Sequence, residues 1–177
     1  VIVTAGRIEQ DGEPMKVTTV LDVTARKQAE EALHAERDLL ENIFNTSAAG
    51  ILVVGSDGAI VRANERARET MGALTPCGDI RGKMYTDPNW QITTVGGEPF
   101  PEEERPFARV METQAPVYDV RYAAHGPEDR RRILSINGAP LREADGTRAG
   151  GVFTVRDVTE EVETRQQLIR AKEEAES

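Results

Sequence analysis

The 177-residue sequence is poor in cysteine, histidine, aromatic residues and long apolar runs. Its single cysteine, Cys77, excludes a disulfide framework within one chain and favours a reducing compartment. The longest purely apolar run, residues 51–54, is far shorter than the roughly 20 residues that a membrane-spanning helix needs. The first ten residues, VIVTAGRIEQ, lack the basic region and apolar stretch of a signal peptide. We therefore expect a cytoplasmic protein with no membrane-inserted segment in these residues.

Charge and side-chain chemistry exclude several further classes of function. Lys and Arg total 22 against 31 Asp and Glu, and this net charge of −9 disfavours binding to nucleic acid or to anionic lipid. With only two histidines, the sequence shows no Ser-His-Asp set, no Cys-His pair at metal spacing and no phosphate-binding loop. We expect no catalytic residues and no metal site in this segment.

An internal repeat divides the chain. The segment VLDVTARKQAEEAL, which begins at Val20, aligns with VRDVTEEVETRQQL, which begins at Val155. Each copy is preceded by an Asp-Gly turn and has the pattern of an apolar strand, Asp-Val-Thr and a charged helix. Because the first copy has only about twenty residues before its Asp-Val-Thr, residues 1–22 are predicted to be the C-terminal strands of a preceding, truncated domain.

The repeated Asp-Val-Thr is predicted to join a strand to a helix. A short side chain that carries an oxygen accepts a hydrogen bond from one of the first helical N–H groups, which otherwise have no partner. The alternative interpretation is a helix cap with no further role. The candidate junction residues are Asp22, Thr24, Asp157, Val158 and Thr159.

Two helices are predicted to flank the central domain, over residues 23–45 and 158–177. The first lacks Gly and Pro, and its apolar residues recur at spacings of three and four. At 1.5 Å per residue, about 22 residues span roughly 33 Å, too long for burial on a small domain. We expect a parallel two-helix coiled coil between two copies of the chain, with a weak seam at Glu36. The alternative is a helix that folds back on its own domain.

Residues 46–157 are predicted to form an α+β domain, a five-stranded antiparallel sheet with short helices on one face. The strands are expected at 50–55, 59–63, 117–123, 130–138 and 148–156. Asn64 is a candidate N-cap, loops and one-turn helices are expected over 72–101, and a helix is predicted from Pro101 to Gln114. Strict alternation in the third strand places Tyr118 and Tyr122 on one face.

The order of these segments resembles the PAS family over about residues 46–160. The similarity is carried by GILVVGSDGAIVRANERARETMG for the opening hairpin and helix, RGKMY for a short helix, EEERPFARVMETQAPVYDV for the long helix and third strand, and DGTRAGGVFTVRDVTEE for the exit. It implies a PAS fold, a small pocket between sheet and helices, and relay of its state through Asp157, Val158 and Thr159 into the outgoing helix.

The resemblance also implies a place in a larger protein. The last residues, QLIRAKEEAES, look like the approach to the phosphoacceptor helices of histidine kinases. This implies a two-component sensor kinase that detects a small-molecule or redox signal and acts on a response regulator. The alternatives are a ligand-free PAS module for dimerisation or spacing, and the sensor of a diguanylate cyclase.

The candidate pocket residues come from the predicted helix and the inner sheet face. They are Trp90, Arg105, Phe107, Met111, Tyr118 and Tyr122. Arg105 would anchor an acidic ligand, whereas the alternative is that these side chains simply fill the core. The cofactor stays unknown. Haem-binding relatives use a His on the long helix, which this helix lacks, and Cys77 in LTPCGDI departs from the Asn-Cys-Arg-Phe pattern of flavin photoreceptors.

Overall fold

The computed structural model describes residues 1–10, 13–75, 78–87, 90–127 and 130–175. These residues form two compact units, Val1–Ile43 and Phe44–Ser177. The predicted turn at Asp11-Gly12 and the lone Cys77 lie outside the described residues.

The first unit contains a β-hairpin and most of a long helix. Strands β1 (Ile2–Gln10) and β2 (Glu13–Leu21) pair antiparallel, with Ile2 opposite Leu21. Helix α1 (Thr24–Thr46) follows, and it has the length expected of a segment without Gly or Pro. No residue of α1 is buried.

The second unit is built on a six-stranded antiparallel sheet. Its strands are β3 (Gly50–Gly55), β4 (Ile60–Ala63), β5 (Gln91–Thr93), β6 (Val117–His125), β7 (Arg131–Arg142) and β8 (Arg148–Asp157). Their spatial order is β4-β3-β8-β7-β6-β5. The first strand of this unit, β3, therefore pairs with the last, β8. The α+β prediction is confirmed.

Short helices cover one face of this sheet. They are α2 (Glu65–Gly72), a 3₁₀ turn (Glu102–Glu104) and α3 (Pro106–Thr113), and α4 (Thr159–Ala175) leaves from the end of β8. Met71 of α2 and Val110 of α3 pack with Leu134 and Phe153 of the sheet in a single hydrophobic core. No helix in the described part of the chain is long and apolar enough to cross a bilayer.

The sheet has one strand more than the sequence predicts. Gln91–Thr93, in the segment expected to be loops, pairs with Ala123–His125 at the end of β6. The prediction failed because β6 runs two residues further than its alternating pattern indicates, and this extension offers backbone groups to a partner. His125 therefore ends a strand, and its Nε2 lies 3.0 Å from Thr93 Oγ1.

The predicted helix from Pro101 is broken at Arg105. The three glutamates form a separate 3₁₀ turn, Arg105 is extended (φ −60°, ψ 141°), and α3 begins at Pro106. A proline ring crowds the preceding residue and excludes it from the helical region, which explains the break. Residues 81–85, expected as a short helix by resemblance, form turns and a single bridge between Ala59 and Met84.

Asn64 is the predicted N-cap of α2, and the prediction is confirmed. Its Oδ1 accepts from Ala67 N (2.9 Å) and also from Ile51 N (2.8 Å). Its Nδ2 donates to Phe44 O (2.8 Å) and Ala49 O (3.0 Å). One fully buried side chain therefore joins α2, β3 and the segment that leads into β3.

Candidate functional site

A cavity of about 80 Å³ lies between the sheet and the helices. Its walls are almost wholly apolar side chains. They include Leu52, Val54, Met71, Tyr85, Ile92, Leu134, Ile136 and Phe153. The volume is well below the ~300–1,000 Å³ typical of pockets for drug-sized ligands. A ligand that fits the cavity in this conformation therefore has only a few heavy atoms.

Four of the six predicted pocket residues line this cavity: Trp90, Arg105, Phe107 and Tyr122. Met111 is partly buried and packs against the core, but it does not line the cavity. Tyr118 is 76% exposed, so its assignment to the pocket is wrong.

A β-bulge explains the error at Tyr118. The pairing of β6 with β7 shifts between Val117 and Val120, and Asp119 has a positive φ of 47°. Asp119 N donates to Asn137 Oδ1 at 2.8 Å, which holds this conformation. Because a bulge inserts one extra residue, the alternation slips and Val117 is buried in place of Tyr118.

Aromatic rings form one side of the cavity. The centroid of Phe107 lies 4.3 Å from that of Tyr85 and 6.0 Å from that of Phe153. Trp90 Nε1 donates to Met84 O at 2.9 Å, so its polar atom already has an acceptor outside the cavity. Sequence reasoning missed Tyr85, Ile92 and the sheet residues, although the apolar residues within the predicted strands β7 and β8 were a usable signal.

Two polar side chains stand out in this apolar wall, Arg105 and Tyr122. The Arg105 side chain is 13% exposed, and its Nη2 lies 3.8 Å from Glu102 Oε1. Its Nε is buried and has no hydrogen-bond acceptor among the described residues. Burial raises the pKa of Tyr122 to about 12, while the positive charge of Arg105 acts weakly in the opposite direction. Tyr122 is therefore a neutral hydroxyl donor at physiological pH.

The Asp-Val-Thr junction connects β8 to α4 and both to β7. Asp157 Oδ1 accepts from Thr159 N (3.0 Å) and Thr159 Oγ1 (2.5 Å), so the capping acceptor is the aspartate and not the threonine. The threonine oxygen instead accepts from Ile133 N of β7 at 2.9 Å. Val158 is buried, and its N donates to Ile133 O at 2.8 Å.

The first copy of the motif has the same local geometry. Asp22 Oδ1 accepts from Thr24 N (2.9 Å) and Thr24 Oγ1 (2.6 Å). The hydroxyl of Thr24, and next its backbone N–H, lower the pKa of Asp22. Among the described residues, no strand amide donates to Thr24 Oγ1, which is the difference between the two copies.

Exposed ion pairs also connect the first turn of α4 to the sheet. Glu161 lies 3.7 Å from Arg121 Nη2 of β6 and 3.9 Å from Arg156 Nη2 of β8. Arg121 Nε donates to Asp119 Oδ1 at 2.8 Å, and this bond, followed by one from Ser135, lowers the pKa of Asp119. The start of α4 therefore contacts three strands: β6 and β8 through these ion pairs, and β7 through Ile133.

The comparisons with known proteins agree with this architecture. A family model described as "PAS fold" matches residues 44–163, more than half of the chain. A PAS domain from Colwellia psychrerythraea is similar at TM-score 0.52 and 14% identity, over 70% of this chain and 97% of that one. The PAS domain of nitrogen regulation protein NR(II) from Vibrio parahaemolyticus is similar at TM-score 0.50 and 12% identity, over 67% of this chain and 97% of that one.

A longer match is to an RNA-binding light-oxygen-voltage receptor, at TM-score 0.57 and 16% identity, over 97% of this chain and 44% of that one. Comparison with curated protein sequences finds no significant match. At these identities, the structural similarities show the fold alone.

Proposed function

Because this chain belongs to the PAS family, we propose that it senses a small molecule in its cavity and relays the bound state through the Asp157–Thr159 junction into α4. PAS domains are generally non-catalytic sensor modules, and they commonly dimerise and bind small ligands. The observation that carries the proposal lies on β7. Leu134 lines the cavity, and the backbone of the adjacent Ile133 bonds to the junction at both groups: its N–H donates to Thr159 Oγ1 and its carbonyl oxygen accepts from Val158 N.

The relay has a simple mechanical basis. Ile133 donates to the Thr159 hydroxyl and accepts from Val158 N, so the start of α4 is fixed to the strand that forms the cavity wall. A ligand that moves β7 must then move the first turn of α4, because packed elements change position as units rather than by continuous deformation. A movement of well under 1 Å at the cavity is enough to shift the far end of a 17-residue helix.

Thr159→Val is expected to uncouple α4 from the cavity wall. The valine matches threonine in shape but leaves Ile133 N without its acceptor, so hydrogen exchange at Ile133 and in the first turn of α4 should rise on the order of tenfold. Hydrogen exchange monitored by mass spectrometry provides the measurement. Thr24→Val is the matched control at the first turn of α1, since it removes the same local bond to an aspartate but no bond to a strand. If exchange in the first turn of α1 rose in Thr24→Val as much as exchange in the first turn of α4 rises in Thr159→Val, the bond to Ile133 would add nothing and the relay would be contradicted.

We further propose that the parent protein is a cytoplasmic two-component histidine kinase acting on a response regulator. The support is the highly charged sequence of α4 and the repeated junction, which would make residues 1–22 the end of a preceding PAS domain. The sequence of the parent gene after Ser177 tests this directly. A phosphoacceptor histidine and an ATP-binding region are expected, whereas a cyclase domain there would replace the kinase. The net charge of −9 argues against a nucleic-acid partner for this segment.

Dimerisation through α1 is the second part of the proposal. Leu33, Leu40 and Ile43 recur at coiled-coil spacing and are 56–67% exposed, which leaves an apolar stripe for a second copy of the helix. A stripe of this kind, unburied along a 23-residue helix, would otherwise face water.

Leu40→Glu is expected to convert the dimer to a monomer, because it places two like charges in the seam of a short, weak coiled coil. Sedimentation velocity at micromolar concentration measures the change. Leu39→Glu is the control, since Leu39 is equally exposed, at 58% against 59%, but lies outside that spacing. A wild-type chain that sediments as a monomer, or a Leu40→Glu chain that stays dimeric, would refute dimerisation through this stripe.

A further inference from the structure

The guanidinium of Arg105 is a positive charge in the wall of an apolar cavity, and one of its N–H donors lacks an acceptor. Its Nε is buried and has no acceptor among the described residues. In the part of the chain that the structure describes, its one ion-pair partner is Glu102, whose Oε1 lies 3.8 Å from Arg105 Nη2 and whose side chain is 77% exposed. An exposed carboxylate at that distance compensates little of the buried charge. A buried charged donor without an acceptor is costly, so an acceptor inside the cavity would be strongly stabilised.

From this geometry we infer that the cavity binds a small monocarboxylate, held by Arg105 through its carboxylate and by the apolar walls through its hydrocarbon tail. The inference deepens the proposed sensory function and rests on it. Tyr122 supplies the second donor, because its high pKa keeps the hydroxyl protonated and the charge of Arg105 is close enough to act on it. Trp90 Nε1 is already bonded to Met84 O, so it does not compete for the carboxylate.

The volume and the single charge narrow the ligand class. An engineered protein cavity of about 150 Å³ holds benzene, so a cavity of about 80 Å³, roughly half that volume, suits aliphatic acids of two or three carbons. A second carboxylate or an amine on the ligand would meet only apolar side chains and would be desolvated without a partner. Acetate and propionate therefore fit this site, whereas malonate and propylamine do not.

Calorimetric titration and thermal-shift measurements on the full chain test the inference, with sodium chloride added to equalise ionic strength. Propionate is expected to raise the melting temperature and to bind at least about tenfold more tightly than propionamide, its neutral analogue. Malonate and propylamine should give no shift. Native mass spectrometry of freshly purified protein should show a bound mass in this range.

Arg105→Gln should weaken propionate binding by about tenfold to one hundredfold, since it removes a charge-assisted hydrogen bond. Arg109→Gln, which removes an exposed arginine one turn along α3, is the matched control and should leave binding unchanged. Tyr122→Phe, which keeps the ring and loses only the hydroxyl, should weaken binding by about threefold to tenfold and provides a second test if Arg105→Gln folds poorly.

The outcomes separate the two proposals. Equal binding of propionate and propionamide, or undiminished propionate binding by Arg105→Gln, would overturn the carboxylate inference while leaving a small-molecule sensor in place. Binding of a neutral metabolite from a wider library, with no response to any acid, would do the same. No binding by any compound would overturn both proposals and favour the ligand-free spacer.

Discussion

Asn64→Ala is expected to lower the free energy of unfolding by about 3–5 kcal/mol, one of the largest effects of any single substitution in the domain. The side chain is fully buried and makes four hydrogen bonds. Its removal leaves Ile51 N and Ala67 N without acceptors and two carbonyl oxygens without a donor, and each buried polar group left unpaired costs about 1–3 kcal/mol. The effects are not fully additive, because water enters the space that the side chain leaves.

Urea denaturation followed by circular dichroism measures this loss, with Asn137→Ala as the control. Asn137 is partly buried on the other face of the sheet and makes two hydrogen bonds, to Asp119 N and Thr154 Oγ1. The Asn137→Ala substitution should lower the free energy of unfolding by only about 1 kcal/mol, because water replaces the lost hydrogen bonds. A loss at Asn64 no larger than that at Asn137 would show that the four bonds do not hold the three segments together.

Gly150→Ala is expected to destabilise the domain by about 3 kcal/mol or more, for two reasons that act together. Gly150 has a φ of 123°, a conformation that residues with a side chain rarely adopt. A Cβ there would also collide with Val54 O and lie 2.7 Å from Gly55 C, at the point where β3 pairs with β8. Because Val54 lines the cavity, the substitution must also push apart two strands of its wall.

Gly146→Ala separates the two causes. Gly146 has a positive φ of 84° but no atom within 4 Å of an added Cβ, so only the conformational strain of about 1–2 kcal/mol remains. Thermal unfolding of both variants gives the comparison. If the two alanines shift the melting temperature equally, the close approach of β3 and β8 contributes nothing to the effect.

Most of the fold was predictable because its signals are local. Alternating apolar residues, Asp-Gly turns and the repeated Asp-Val-Thr mark the five principal strands and the flanking helices, and each depends on neighbours within a few residues. The break before Pro106 was also predictable, since a proline restricts the residue that precedes it. The short strand β5 was not, because its three residues are ordered by pairing with a strand 30 positions later.

Tyr118 and Asn64 show where local patterns fail. The bulge that exposes Tyr118 is held by Asn137, 18 positions further along, and nothing near Tyr118 signals it. Asn64 was predicted as an N-cap from its position before a short helix, but its bonds to Phe44 and Ala49 join segments 15–20 residues apart. At the cavity, the type and position of Arg105 suggested an anion-binding role. Its lack of an acceptor is a property of the packed structure.

The outermost strands of the six-stranded sheet are also its shortest, β4 with four residues and β5 with three. Local loops already use their outer backbone groups, since Ile60 N donates to Lys83 O and Thr93 bridges to Pro99. Little main chain is left at either margin to recruit a foreign strand. Several domains of this design can therefore follow one another in a single polypeptide, at high local concentration, without aggregating through pairing of their edge strands.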